Sequence, residues 1–262
     1  MSELRDHWKS QTRWKILGAA VFGGLVLASL WAARPEEPAL LRGLGERLAH
    51  FLDSFFPVDW SRTRGILEAT LETIAIAFAG TVLAAVVALP LGFLAAANVA
   101  PPAVAHAVRL ALGFIRSIPL IIVAFMLVNL VGLGAFPGML AIAIHSVGML
   151  GKFYAEEFET AETGILQAVA GTGATRLQTL RFGLLQQCVP QVVAFTIYRF
   201  EMNFRDATVL GVVGAGGIGF LIRSYFSGGG THYDKGAVLL LAIILVVAIL
   251  DQLTFWARRW MR

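Results

Sequence analysis

Residues 73–108 read TIAIAFAGTVLAAVVALPLGFLAAANVAPPAVAHAV, a run without a single Asp, Glu, Lys or Arg. A helix that crosses a bilayer needs roughly 20 mostly apolar residues, so a charge-free run this long places the chain in a membrane. Residues 16–33, 117–151 and 236–250 are equally free of those four residue types. The whole chain agrees, with 57% hydrophobic and only 15% charged residues and a mean hydropathy of +0.73. A water-soluble domain carries far more charge.

The spacing of these runs predicts an all-α polytopic protein with six spans, at 15–33, 66–95, 109–131, 134–156, 188–212 and 236–257. An even number puts both termini on one side. With the termini inside, 11 Lys and Arg flank the inner ends and 7 the outer ends, the bias that orients membrane proteins. The net charge of +4 and pI near 9.6 follow from this flanking, so no nucleic-acid partner is expected. Arg5, Lys9, Arg13 and Lys15 before the first apolar run could mark a secretory leader. The run is 18 residues long, and Trp31 falls within the only cleavage-like site, so it reads as an uncleaved anchor.

The expected divisions are an inner N-terminus (1–14), a first span (15–33), an outer segment (34–65), a transmembrane domain (66–257) and an inner tail (258–262). In the outer segment Leu41, Leu44, Leu48, Phe51, Leu52 and Phe55 recur at helical spacing between charges. That spacing predicts an amphipathic helix in the outer interface, or a loop packed on the spans. Within the domain, residues 157–187 are polar enough to leave the membrane on the inner side, and their Leu166, Val169, Leu177 and Leu180 suggest that something docks there. The single cysteine, Cys188, excludes an intrachain disulfide and a CxxC site.

Two segments carry a family resemblance. Residues 167–185, QAVAGTGATRLQTLRFGLL, resemble the EAA coupling loop of bacterial ABC import permeases, with Gly173 supplying the backbone freedom for the turn that ends a docked helix. Gln167 stands where that loop usually has Glu, and Gln186 where it has Pro, with Pro190 nearby for the boundary. Residues 198–219, YRFEMNFRDATVLGVVGAGGIG, resemble the fifth span and glycine-rich turn of phosphonate-type permeases. LPLGFLAA at 89–96, RSIP at 116–119 and Phe182-Gly183 are similar to the same family, and the resemblance covers about 40–257.

The resemblance implies a type I ABC importer permease of the bacterial inner membrane, carrying phosphonate or a related oxyanion such as phosphite or phosphate. It implies a homodimer in membrane lipid, two ATP-binding subunits, a periplasmic substrate-binding protein, and cytoplasmic termini. It assigns coupling to Gln167, Ala168, Gly173 and Arg176. The chain itself would be non-catalytic and without a cofactor or metal, ATP and Mg belonging to the partner ATPase. The absence of a GxxxxGK[ST] loop fits this division of labour.

The turn GAGGIG at 214–219 spells a dinucleotide fingerprint, but no strand or βαβ unit surrounds it. Gly214, Gly216, Gly217 and Gly219 instead let backbones pack closely or build a re-entrant gate beside the path. Arg116, Arg199 and Arg205 are the basic residues without an interfacial home. Glu201 with Arg205 and Arg199 with Asp206 share helical faces. They form neutralising pairs, or the three arginines line an oxyanion route.

His106 and His145 lack a second ligand at helical spacing, so no metal is expected there. Asn129, Ser146 and Thr196 fit bridges between helices, while Glu68 and Glu72 fit the outer end of the second span. Two competing readings are weaker. A proton-coupled transporter using Glu201 and Asp206 lacks the paired interrupted helices of that class, and a lipid-phosphate enzyme lacks a nucleophile and base grouping. An ABC permease for another small solute, such as an amino acid, is the remaining alternative.

Overall fold

The computed structural model describes residues 2–33, 43–227 and 232–260. Residues 34–42, with Leu41 of the expected amphipathic stripe, and the tail residues 261–262 lie outside the described residues. The chain divides into two compact units, Met1–Asp53 and Ser54–Arg262.

The first unit holds α1 (Ser2–Ala32) and α2 (Leu44–Asp53). The apolar part of α1 is Gly18–Ala32, continuous with the helical segment before it. In α2 the spacing places Leu44, Leu48, Phe51 and Leu52 on the surface, each about half exposed.

The second unit is helical throughout, with no strand among the described residues. Its elements are α3 (Thr63–Ala95), α4 (Pro102–Ser117), α5 (Leu120–Val131), α6 (Ala135–Thr160), α7 (Thr163–Gly171), the single turn α8 (Arg176–Gln178), a π-helical stretch (Thr179–Leu185), α9 (Gln186–Leu210), a short 3-10 turn (Gly211–Val213), α10 (Ile218–Phe226) and α11 (Tyr233–Trp260). With a rise of about 1.5 Å per residue, α3 is roughly 50 Å long, more than the hydrocarbon thickness of a bilayer.

Helices α3 and α6 run parallel at the centre of the unit. Ala77, Ala84 and Ala88 of α3 and Ala141 and Ile142 of α6 are completely buried, and a Cβ on Gly80 would stand 2.7 Å from Ile142 Cγ2. Small side chains let these backbones close up, which is how helices associate where lipid removes the hydrophobic drive. Around this pair the outer faces are apolar and open, as at Val86, Phe114, Leu130 and Ile244, the pattern of helices that meet lipid tails.

Among the described residues three helices, α3, α6 and Tyr233–Ala257 of α11, are long and apolar enough to cross a membrane, and two bent pairs bring the number to as many as five. The stretch 109–131, expected as one helix, is two. Ile118 precedes Pro119 and takes an extended backbone (φ −82°, ψ 121°), because the proline ring disfavours the helical region for the residue before it. Helices α4 and α5 therefore meet at 80°. The second bend, 49°, separates the helical run ending at Val213 from α10.

At the end where α3 begins, Asp59 ties the chain to the start of α11. Its backbone N–H donates to Asp234 O (3.3 Å) and its carboxylate faces Lys235 Nζ at 3.9 Å. The Ser61 backbone N–H, then the Ser61 hydroxyl, hold this carboxyl below the usual range.

Candidate functional site

Helix α9 carries four charges within eight residues, and the structure gives each a partner. Arg199, buried to 5% exposure, donates from Nε to Ser146 Oγ (3.0 Å). Its Nη2 meets His145 Nδ1 at 3.0 Å and Asp206 Oδ2 at 3.3 Å. Ser146 donates to Asn203 Oδ1 (3.1 Å), and Asn203 donates from Nδ2 to Thr81 Oγ1 (2.7 Å). An unbroken line of polar contacts thus joins α9, α6 and α3 through a core that would otherwise penalise each group.

Arg205 donates to Glu201 Oε1 (3.0 Å) and to Asp251 Oδ1 of α11 (2.7 Å). Asp251 was missed as a partner by the sequence reading, which set two acids against three cations. The available signal was its position as a lone carboxylate just after the apolar run 236–250, the same rule that singled out the arginines.

Arg116 differs. It is exposed on the last turn of α4, and among the described residues no carboxylate stands within ion-pair distance of it. Its backbone lies against α6: a Cβ on Gly148 would come within 2.9 Å of Leu112 O and 3.2 Å of Arg116 N. His145 is one helical turn from Gly148 on the same face.

Of the remaining polar residues, Thr196 and Tyr154 join α9 to α6 at 2.6 Å. Asn129 donates instead to Phe125 O, one turn back in α5. Glu68 pairs with Arg64 at 3.0 Å on the surface of α3.

The glycine-rich turn ends the α9 run. Gly214, Gly216 and Gly217 all have positive φ, at 94°, 79° and 71°, a region costly to any residue with a Cβ. The turn is tied down by Ile218 N–H donating to Thr73 Oγ1 (2.7 Å) and Gly134 N–H donating to Gly214 O (3.0 Å). A Cβ on Gly219 would lie 2.1 Å from Thr208 O, so these glycines serve close packing and the break in the helix together. Beside the turn is an open cavity of about 510 Å³ lined by Glu68, Glu72, Leu133, Gly216 and Phe220.

At the opposite end, α7 carries Gln167 and Ala168, both exposed, and buries none of its residues fully. Leu166 and Val169 hold it down over Gly183, where a Cβ would meet them at 3.1 and 3.7 Å. The helix stops at Gly171, and Gly173 turns the chain with φ +83°. Thr175 and Gln178 then form a capping box that starts the next helical run.

Arg176, though exposed, reaches back to the α3–α4 connection, where its guanidinium donates to Val99 O. That connection is also held by Ala97 N–H donating to Glu159 Oε1 (2.6 Å) and Asn98 Nδ2 donating to Phe158 O (2.7 Å). The boundary expected at Pro190 is absent. Pro190 lies inside α9, and the irregularity falls earlier, in the π-helical turn Thr179–Leu185.

The family model described as "Binding-protein-dependent transport system inner membrane component" matches residues 88–262. The chain is 40% identical over 241 residues to the phosphite transport system permease protein PtxC of Stutzerimonas stutzeri, covering 91% of this chain and 86% of that one. It is 36% identical over 234 residues to the phosphate-import permease protein PhnE of Mycolicibacterium smegmatis, covering 89% of this chain and 43% of that longer one. Among solved structures, a chain of the inward-facing MetNI methionine ABC transporter superposes with a TM-score of 0.69 at 21% identity, over 78% of this chain and all of that one.

Proposed function

The chain belongs to the binding-protein-dependent transport system inner membrane components, and from that membership we propose that it is the permease subunit of an ATP-driven importer for a phosphorus oxyanion: phosphite, phosphonate or phosphate. The observation that carries the substrate reading is the identity, spread over nine-tenths of the chain, with a permease named for phosphite.

In this reading two copies enclose a shared pathway. Each receives one ATP-binding subunit, which supplies ATP and Mg, and a periplasmic binding protein delivers the substrate. The termini (1–14 and 258–262) and the 157–187 segment are cytoplasmic; 34–65 is periplasmic and 66–257 is the transmembrane domain. The exposed face of α7, with Gln167 and Ala168, seats the ATPase. Gly173 sets the angle of α7, and Arg176 acts through the α3–α4 connection that it holds.

Arg116 is the arginine best suited to the oxyanion route, since Arg199 and Arg205 are engaged by Asp206, Glu201 and Asp251. A charge facing hydrocarbon costs about 2.5–3.5 kcal/mol on insertion scales. An exposed guanidinium on this surface therefore belongs on a wet path or against a second copy. Gly214, Gly216, Gly217 and Gly219 form the gate at the other end of α9.

The test is ATP hydrolysis by the assembled complex, stimulated by binding protein loaded with phosphite, phosphate, methylphosphonate or methionine. Stimulation by at least one phosphorus oxyanion and none by methionine is expected. Stimulation by methionine alone would reassign the substrate.

A further inference from the structure

Arginine carries hydrogen-bond donors and no acceptor. The His145 ring nitrogen that meets Arg199 Nη2 at 3.0 Å must therefore accept, and its proton must sit on the other ring nitrogen. His145 is thus a neutral imidazole held in one tautomer by Arg199, as a hydrogen bond to one ring nitrogen fixes the proton on the other in histidines generally. Arg199 is itself fixed by Ser146 Oγ (3.0 Å) and Asp206 Oδ2 (3.3 Å), so the ring has little freedom to turn.

The free end of that ring is an N–H donor. Among the described residues it has no hydrogen-bond partner, and the side chain is only partly buried. The close approach of α4 at Gly148 sets the last turn of that helix, with Arg116, against the face of α6 that carries His145. The exposed Arg116 and the partly buried His145 therefore stand on neighbouring turns of two packed helices, one bringing a charged fork of donors and the other a neutral N–H.

We propose that the His145 N–H and the Arg116 guanidinium form an oxyanion subsite on the translocation path, with Arg199 as the positioning residue that fixes the imidazole. The ligand class is a tetrahedral phosphorus oxyanion, whose unprotonated oxygens accept from both groups. A neutral donor beside a single cation suits a site that must release its anion: it orients an oxygen without adding a second full charge. This inference rests on the transport reading above.

The experiment uses the complex with its ATPase and binding proteins in liposomes, measuring maximal uptake of phosphite, phosphate and methylphosphonate with loaded binding protein in excess. His145→Phe and the smaller His145→Ala remove the donor, and His145→Gln restores an N–H beside an acceptor oxygen. The expected result is a fall of about tenfold for Phe and Ala, of unequal size for the three anions, with assembly unchanged and Gln within about threefold of wild type. A loss equal for all three anions, or one that tracks lost assembly, makes His145 structural and overturns the subsite. Dissociation of the permease dimer by Arg116→Gln assigns Arg116 to the contact between copies and overturns it too. Wild-type uptake with undiminished His145→Phe uptake overturns the subsite alone, whereas a wild-type complex that carries none of the anions overturns the transport reading and the subsite with it.

Discussion

Arg205 of α9 donates to Asp251 of α11 across 2.7 Å, a contact between residues 46 positions apart in sequence. Glu201 meets the same Nη2 at 3.0 Å, so two carboxylates face this one guanidinium. The cationic surplus suggested by the primary structure shrinks to Arg116.

Arg205→Met removes the guanidinium facing Glu201, whose side chain is only 10% exposed, whereas Asp251→Asn changes a group that is 50% exposed. Breaking a pair inside a membrane domain strands charge at a cost of about 2.5–3.5 kcal/mol on insertion scales. Arg205→Met is expected to lower the melting temperature of the purified complex clearly, and Asp251→Asn by less. The reverse order in a thermal melt would contradict this assignment.

Gly173 has open space where a Cβ would go, so its sensitivity comes from φ +83° alone. A β-branched side chain there is strained, while Asn tolerates the left-handed region. Gly173→Val should reduce substrate-stimulated ATP hydrolysis about tenfold, the effect of the roughly 1–2 kcal/mol conformational cost, with Gly173→Asn much milder. Equal behaviour of the two variants would show that the turn does not govern coupling.

Arg176→Ala frees Val99 O and loosens the α3–α4 connection without touching the surface of α7. Amide exchange in residues 96–100 should rise and ATPase coupling should weaken, while membrane insertion stays normal. Unchanged exchange in that connection would remove Arg176 from this role.

Much of this architecture was legible in the charge-free runs. The expected spans 66–95, 134–156 and 236–257 fall on α3, α6 and α11, because apolar length is a property of the sequence alone. The Arg199–Asp206 and Arg205–Glu201 pairs were legible for a similar reason, since helical spacing fixes which side chains share a face. Spacing within one helix says nothing about a partner on another, so Asp251 appears only once α11 packs on α9, and the partners of the expected bridge Ser146 appear only once α3, α6 and α9 pack. The bend at Ile118 could have been read from Pro119 and from Arg116 and Ser117 before it, yet the apolar residues 110–115 and 120–128 on either side masked it. The π-helical turn at Thr179–Leu185 has no comparable signature.

The orientation has its own test. In a Cys188→Ser background, a cysteine placed at the exposed Thr175 should react with a permeant maleimide and resist an impermeant one added outside. External labelling would move α7 to the wrong side of the membrane for an ATPase.

Import of phosphorus oxyanions is measured as uptake of labelled phosphite, phosphate and methylphosphonate into liposomes holding this chain with its ATPase and binding proteins. Accumulation of at least one of these anions is expected to require ATP and the binding protein and to persist when an uncoupler removes the proton gradient. Accumulation that needs the proton gradient and no ATP, or none of any phosphorus oxyanion, would contradict it.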